Sequence, residues 1–305
     1  MKNPKILVIL GPTASGKSDL AIKLAKFFNG EIISADSRQV YRGMDIGSGK
    51  IKIQNSKVKS NGLYAEGIRH HLLDVVQPNE YFSVARYQKL ALKAIKDIQR
   101  RGKLPIICGG TGLYISALIE GWQLINVPPS DSFRQELEKL NKEELFSKLE
   151  QLDSQRAKTI DKNNKRRLIR ALEIAALKGS VPPLIKKPPQ WDVFVLGIRK
   201  DKEELKKLIL KRLKKRLSEG MIKEVKKLKE EGVSSKRLEE FGLEYRWLNR
   251  YLENKCNLEE MKKNLFKDIC HYAKRQMTWF KKMKNIWWVE NEKEALAATY
   301  AWLKN

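Results

Sequence analysis

The sequence predicts an α/β protein: a doubly wound, parallel sheet interrupted by a helical insertion. Three observations lead to this fold class. Short apolar runs alternate with helical patterns from residue 5 to residue 120, an alternation typical of parallel sheets that are covered on both faces. A glycine-rich motif connects the first apolar run to the first helical pattern. Strand signals are then absent from residue 128 to residue 179 and return after a proline-rich stretch.

The first two strands flank a helix. Residues 5–10 are almost entirely apolar, as expected of a strand that is buried on both faces. A helical pattern begins at Lys17, and Gly30 supplies a stop signal. Residues 31–34 predict a second short strand, which ends just before Asp36.

A second helix–strand–helix series follows. Ser83 is a suitable N-cap for a helix that Gly102 ends. Residues 104–108 predict another buried strand, the glycine-rich residues 109–112 follow it directly, and residues 113–120 predict a further helix. These elements continue the pattern of a parallel sheet.

The character of the chain changes after this helix. We predict a helical insertion domain at residues 122–189, because only charged helical segments occur there. Residues 191–198 predict a strand that rejoins the sheet, and residues 202–231 predict a long basic helical stretch, followed by helical material to the C-terminus. The predicted catalytic core therefore comprises residues 1–121 and 190–305.

Charge is the strongest global feature. Lys and Arg total 62 against 36 Asp and Glu, which gives a net charge of +26 and a pI near 9.9. Such an excess favours a polyanionic partner such as nucleic acid. Genome bias or a hot habitat can also enrich lysine, so both explanations stay open at this point.

Compartment and membrane association follow from simpler counts. No run of about 18 or more apolar residues occurs, so we expect no transmembrane helix. The N-terminus lacks the pattern of a cleaved signal peptide. Three widely spaced cysteines predict neither a disulfide framework nor a zinc cluster. We expect a cytoplasmic protein, and we expect a monomer.

A phosphate-binding motif lies between the first strand and the first helix. It matches G-x-x-x-x-G-K-[ST] at Gly11, Pro12, Thr13, Ala14, Ser15, Gly16, Lys17 and Ser18. Its glycines let backbone N–H groups surround phosphate oxygens at a helix N-terminus, so the motif predicts a diphosphate- or nucleotide-binding loop in a fold of the P-loop NTPase type. We expect Lys17 to neutralise the outer phosphate and Ser18 to bind Mg²⁺.

Asp36 is the first acidic residue at a predicted strand end. A nucleotide-hydrolysing enzyme usually has an aspartate after a later strand, but here residues 106–108 lead into Gly109, Gly110 and Thr111. The carboxyl ends of parallel strands face the ligand crevice, so Asp36 is expected near the phosphates, where it could accept a proton. It could equally be an ordinary loop carboxylate.

Several segments, in order along the chain, resemble the tRNA dimethylallyltransferases, also called tRNA isopentenyltransferases or the IPP transferase family. They are residues 11–18, 36–50, 70–74, 109–114, 167–173 and 273–279. The resemblance covers most of the chain and is weakest from residue 122 to about residue 160. Residues 241–246 are spaced differently from the corresponding segment of bacterial members, so we assign them no tRNA contact.

The resemblance implies a prenyl transfer. The exocyclic amine of adenosine 37, beside the anticodon of tRNA, attacks the allylic carbon of dimethylallyl diphosphate, and diphosphate leaves with the help of Mg²⁺. Asp36 is then the catalytic base, Thr13 and Lys17 contact the donor, and Arg212 reaches the leaving group. Arg216 lies one helical turn further on the same face. For both arginines, a solvated basic helix face is the alternative.

The resemblance also implies contacts with the anticodon stem-loop of tRNA. The residues concerned are Asp36, Ser37, Arg38, Gln39, Thr111, Arg134, Arg166, Arg167, Leu168, Ile169 and Arg170. The adenine has to be extruded from the stacked loop before its amine can react, and a basic insertion could hold the stem through its phosphates. Arg167 and Arg170 could instead be ordinary helix-surface charges, and Thr111 could be a turn residue.

Three other functions share part of this pattern. A nucleoside or nucleotide kinase has the same opening motif but needs no basic insertion. An adenylate isopentenyltransferase would modify a free nucleotide rather than RNA. A non-catalytic RNA-binding protein would not need the set of Thr13, Lys17, Ser18 and Asp36. Replacing Asp36 with alanine separates this last alternative, because RNA binding would persist and turnover would not.

Overall fold

A computed structural model of the chain describes residues 3–52, 62–125, 127 and 130–305. Residues 1–2 and 53–61 of the predicted core, and residues 126, 128 and 129 of the predicted insertion, lie outside these ranges. The chain divides into two compact units. The first consists of Met1–Gly121 together with Pro188–Asn305, and the second of Trp122–Lys187.

The first unit is built on a sheet that has seven strands within the described residues. They are β1 (Lys5–Leu10), β2 (Gly30–Ser34), β3 (Leu63–Ala65), β4 (Ile68–His71), β5 (Leu104–Gly109), β6 (Asp192–Ile198) and β7 (Ile286–Val289). The strand order is β3-β4-β2-β5-β1-β6-β7. β3 pairs antiparallel with β4, and the other pairs are parallel.

Helices cover both faces of this sheet. They are α1 (Lys17–Phe27), α2 (Val84–Arg100), α3 (Gly112–Ile119), α8 (Lys202–Ser218), α9 (Met221–Glu230), α10 (Ser235–Phe241), α11 (Leu243–Leu252), α12 (Leu258–Phe280) and α13 (Glu292–Lys304). On one face, Leu7 of β1 packs in a cluster with Leu24 of α1 and Ala295 of α13. On the other, Val8 packs with Tyr87 of α2 and with the later helices. The predicted doubly wound fold is confirmed.

The strand register brings three loops to one edge. Leu10 at the end of β1 lies beside Gly109 of β5, and Ser34 at the end of β2 lies beside Cys108. The phosphate-binding loop, the segment that contains Asp36 and the glycine-rich turn after β5 therefore leave the sheet side by side. This is the crevice at which ligands bind in open α/β sheets.

The second unit is helical in its described part, as predicted. Its helices are α4 (Asp131–Lys139), α5 (Lys142–Leu152), α6 (Ser154–Thr159) and α7 (Lys165–Lys178). α5 begins with a capping box in which the Asn141 side chain and the Glu144 side chain each accept the other residue's backbone N–H. Leu145 and Leu149 of α5 pack against Leu168 of α7 in a separate apolar core.

The structure corrects the sequence-based assignment in two places. The helical stretch predicted at residues 202–231 is divided into two helices, because Gly220 adopts a left-handed conformation (φ 102°) between α8 and α9. The C-terminal region, predicted to be helical throughout, contains β7, whose Ile-Trp-Trp-Val composition favours a strand. The hairpin of β3 and β4 was not predicted either.

Of the described helices, none combines the length and apolarity needed to span a lipid bilayer.

Candidate active site

The phosphate-binding loop turns its backbone through two left-handed residues. Ala14 has φ 64° and Gly16 has φ 87°. A left-handed conformation is unfavourable for alanine, and strain of this kind is typical of ligand-binding loops. α1 starts directly after Gly16 without a side-chain cap, so the N–H groups of its first turn are available to an anion.

A cleft opens beside this loop. It is lined by Thr13, Lys17, Ser18, Asp36, Gln39, Ser48, Cys108, Gly109, Arg212, Tyr272 and Gln276. The structure thus brings the predicted donor-binding residues Thr13, Lys17 and Ser18 together with Asp36 and Arg212. These five residues come from the first strand end, the second strand end and α8.

Two cations face the cleft. Burial lowers the pKa of Lys17, the nearby Arg212 guanidinium lowers it further, and the Asp36 carboxylate partly opposes this. Burial also lowers the pKa of Arg212. Two positive groups that lose water contact side by side are best compensated by an anion of more than one charge. The cleft is therefore suited to a diphosphate.

Asp36 stabilises its own turn through one oxygen. Its Oδ1 accepts the backbone N–H groups of Arg38 (2.8 Å) and Gln39 (3.3 Å). Asp36 is thus a loop carboxylate that stabilises its own turn, and its side chain also lines the cleft. Because both bonds end on Oδ1, the carboxylate can hold its position and still receive a proton from a ligand.

The neighbours of Asp36 are held by distant parts of the first unit. The Thr111 hydroxyl accepts the N–H of Ser37 (3.1 Å), and the Thr111 N–H donates to the carbonyl of Ala35 (3.1 Å). Arg38 donates through Nε to the carbonyl of Phe241 (2.8 Å). Thr111 is therefore more than a turn residue, since it ties the end of β2 to the turn after β5.

α8 supplies one arginine to the cleft and not two. Arg212 donates through Nη2 to the carbonyl of Gly49 (3.3 Å) and lines the cleft. Arg216, on the same helix face, is buried and pairs with Glu244 (2.6 Å) and with the carbonyl of Gly47 (2.7 Å). Neither residue is part of a simple solvated face, and only Arg212 can contact a ligand in the cleft.

Two further groups in the cleft stay uncharged. Burial raises the pKa of the Cys108 thiol to about 12, so it remains protonated at neutral pH and is a poor nucleophile. Burial likewise raises the pKa of Tyr272 to about 12. Tyr272 is consequently a neutral hydrogen-bonding group beside Thr111.

Gln276 is a site residue to which sequence reasoning assigned no role. Its Oε1 accepts the N–H of Thr13 (2.8 Å), and its Nε2 donates to the carbonyl of Gly110 (2.9 Å). A Cβ atom on Gly110 would lie 2.2 Å from that Nε2. Gln276 thus connects the phosphate-binding loop to the glycine-rich turn. The sequence signal for a role of Gln276 was its place in the segment 273–279. Its contacts with Thr13 and Gly110 could not be predicted from the sequence.

We expect Gln276→Ala to weaken the binding of inorganic diphosphate about tenfold, because the freed N–H and carbonyl loosen the loop around its anion. Calorimetric titration with diphosphate measures this. Lys262→Ala, at an exposed ion pair with Glu259 on the same helix, serves as the matched control and should bind normally. Equal affinities in both variants would contradict this role for Gln276.

In the second unit, two of the predicted tRNA-binding arginines are engaged with Glu173. Arg134 donates to this carboxylate through Nε (2.6 Å) and Nη2 (2.9 Å), and Arg170 donates through Nη1 (3.1 Å). Arg170 also donates to the carbonyl of Val127 (2.8 Å). The Glu173 side chain is 1% exposed. These pairs therefore orient Arg134 of α4 and Arg170 of α7.

The other predicted residues of this segment differ in exposure. Arg166 and Arg167 are exposed in the first turn of α7. Leu168 (0% exposed) and Ile169 (8%) belong to the core of the second unit. Their side chains pack within the helical unit because α7 needs an apolar face, and the contact of these two residues with tRNA stays a prediction.

Comparison with known proteins gives one consistent family. Residues 39–283 match the family described as IPP transferase. A tRNA dimethylallyltransferase of Anoxybacillus flavithermus is 41% identical over 291 residues, which are 94% of this chain and 90% of that protein. Its counterpart in Acetivibrio thermocellus is 42% identical over 296 residues, covering 94% and 92% of the two chains.

Solved structures that are similar to this chain come from the same kind of enzyme. A full-length tRNA isopentenylpyrophosphate transferase from Bacillus halodurans superposes with a TM-score of 0.71 at 36% identity, over 99% of this chain and 96% of that one. A eukaryotic dimethylallyltransferase, solved acting on tRNA, superposes with a TM-score of 0.75 at 28% identity, over 94% and 74% of the two chains.

Proposed function

The chain belongs to the IPP transferase family, and from this premise we infer that it transfers a dimethylallyl group to tRNA. The donor is dimethylallyl diphosphate, and the acceptor is N6 of adenosine 37, next to the anticodon. The observation that carries this proposal is the single cleft in which the cations Lys17 and Arg212 face the carboxylate of Asp36.

The donor is held by its diphosphate. The N–H groups after Gly16 and the Lys17 ammonium bind one end of the diphosphate, and the Arg212 guanidinium binds the other. Thr13, whose backbone N–H is already bound by Gln276 (2.8 Å), presents its hydroxyl beside the bond that breaks. These groups are in place before the reaction, so they stabilise the charge that develops on the leaving diphosphate.

The acceptor amine reacts from the side of Asp36. The N6 lone pair attacks C1 of the donor, the C1–O bond breaks, and diphosphate leaves with the electron pair of that bond. The amine nitrogen then carries an extra proton, which passes to Asp36. The bonds of Oδ1 to Arg38 and Gln39 keep this carboxylate aimed during the transfer.

The residues of the cleft also fit Mg²⁺. This ion keeps several waters and usually takes only one or two protein oxygens together with substrate phosphates, and Ser18 lines the cleft beside Lys17. Ser18 Oγ would hold the ion at the diphosphate. When bound, Mg²⁺ neutralises part of the charge of the leaving group.

The net charge of the chain supports a nucleic acid as the acceptor substrate. A net charge of +26 suits a polyanion, and Arg166 and Arg167 are exposed at the start of α7. We assign them, with Arg134 and Arg170, to the phosphates of the anticodon stem. The segment from Asp36 to Gln39 and Thr111 contact the extruded nucleotide. The proposed catalytic residues all come from one unit of one chain, so a monomer is sufficient for the reaction. The location that we propose for the enzyme is the cytoplasm, where its tRNA substrate is found.

The test is diphosphate release from dimethylallyl diphosphate in the presence of Mg²⁺, with unmodified tRNA, AMP or ATP as the second substrate. We expect diphosphate release with tRNA and none with AMP or ATP. Adding EDTA should abolish the release. Release with AMP but not tRNA would indicate an enzyme of free nucleotides, and ATP consumption without prenylation would indicate a kinase or ATPase. Either result would contradict the proposal.

A further inference from the structure

One wall of the cleft is a short loop, residues 45–50, which we call the glycine segment. Ser48 lines the cleft. The carbonyl of Gly49 accepts bonds from Arg212 Nη2 (3.3 Å) and from Gln39 Nε2 (3.4 Å). The position of this one carbonyl therefore decides how two side chains of the cleft are aimed.

The first half of the glycine segment, residues 45–47, is held by the carboxylate of Glu224 in α9, and Lys50 at its end pairs with Asp45 and Asp74. Glu224 Oε2 accepts the N–H groups of Asp45 (2.9 Å) and Ile46 (2.6 Å), and Oε1 accepts the N–H of Gly47 (2.9 Å) and the hydroxyl of Tyr245 (3.1 Å). Three successive backbone donors converge on one carboxylate, and hydrogen bonds to a carboxylate are stronger than those between amides.

Close packing leaves the segment little freedom. A Cβ atom on Gly47 would lie 2.8 Å from the Tyr245 ring, and one on Gly49 would lie 1.8 Å from Arg212 Nη2. The carbonyl of Gly47 also accepts a bond from the buried Arg216 (2.7 Å), which pairs with Glu244. The segment thus packs between α8, α9 and α11 and contacts both Glu224 and Arg212.

We propose that Glu224 is a positioning residue for the transfer reaction, acting through the glycine segment on Arg212. It does not line the cleft. By fixing the N–H groups of residues 45–47, Glu224 determines the position of the Gly49 carbonyl. This carbonyl in turn holds the Arg212 guanidinium toward the leaving diphosphate. The role rests on the proposed function, but its effect on diphosphate binding can be measured without any transfer.

A double-mutant cycle tests the proposal. Glu224→Ala, Arg212→Ala and the double variant are titrated with inorganic diphosphate and assayed for tRNA prenylation. We expect Glu224→Ala to lower kcat about 10- to 100-fold, because small displacements of a positioned group have effects of that size, and to leave the KM for tRNA unchanged. The double variant should bind diphosphate no more weakly than Arg212→Ala, since the two residues act as one unit.

Two further variants separate positioning from stability. Glu224→Gln keeps one acceptor oxygen and should fall between the wild type and Glu224→Ala in both assays. Glu230→Ala removes an exposed glutamate of the same helix that pairs with Lys226, and should behave as the wild type. Thermal unfolding of each variant shows that the assays are made on folded protein.

The outcomes are distinct. If the losses caused by Glu224→Ala and Arg212→Ala multiply in the double variant, Glu224 does not act through Arg212 and the proposal is wrong. It is also wrong if Glu224→Ala lowers only the melting temperature. A wild type that binds diphosphate and shows the expected cycle, but prenylates no tRNA, contradicts the proposed function and not the link between the two residues.

Discussion

Replacing Asp36 with alanine should lower the rate of prenyl transfer about 10²- to 10⁴-fold, which is the usual contribution of a general base. Binding of tRNA should persist, because its phosphate contacts are made elsewhere. The rate is measured in a single turnover with saturating donor and tRNA, and tRNA binding by filter retention. This pair of results separates an enzyme from a non-catalytic RNA-binding protein.

Asp36→Asn is the sharper variant. An asparagine Oδ1 can still accept the N–H groups of Arg38 and Gln39 that the carboxylate now accepts, so the turn keeps its shape while the proton acceptor is lost. We expect a loss close to that of alanine. If Asp36→Asn were as fast as the wild type and Asp36→Ala slow, Asp36 would serve the turn and not the chemistry.

Lys17→Ala should lower kcat/KM for dimethylallyl diphosphate about 10²- to 10³-fold, since it removes a half-buried cation that lines the cleft. The KM for tRNA should change little. Lys26→Ala is the matched control, because Lys26 lies on the same helix and pairs with Glu66 on the surface. A loss shared equally by both variants would point to the stability of α1 instead.

The pH dependence adds a second signature of Lys17. Burial lowers its pKa, so its positive charge is lost at a lower pH than that of an exposed lysine. Donor capture should therefore weaken as pH rises through this lowered pKa. The kcat/KM profile of Lys17→Ala should lack that alkaline decline. An identical decline in the variant would assign it to another group.

The sheet and its ligand edge could be predicted because their signals are local. The apolar runs of β1 and β5, and the motif between β1 and α1, each occupy a few consecutive residues. The same holds for Asp36, which lies two residues after the end of β2. Rules of strand order then bring these loops together without any knowledge of side-chain contacts.

The features that could not be predicted depend mostly on contacts between residues that are far apart in the sequence. Gln276 meets Thr13 across 263 positions, and Glu224 meets Ile46 across 178, so no pattern in a single sequence shows either pairing. Leu168 and Ile169 were placed with exposed arginines because they share a segment, although their burial follows from the packing of α7. The strand β7 was missed because four residues are too short for a period to be recognised.

The most direct test of the central claim is to locate the added group. Wild-type protein is incubated with Mg²⁺, dimethylallyl diphosphate and either an unmodified tRNA with adenosine at position 37 or the same tRNA with guanosine there. Mass spectrometry of nuclease fragments then reports the mass and position of the modification. We expect one dimethylallyl group on adenosine 37 of the first RNA and none on the second. Prenylation at another position, or none on either RNA while the protein binds diphosphate, would contradict the account.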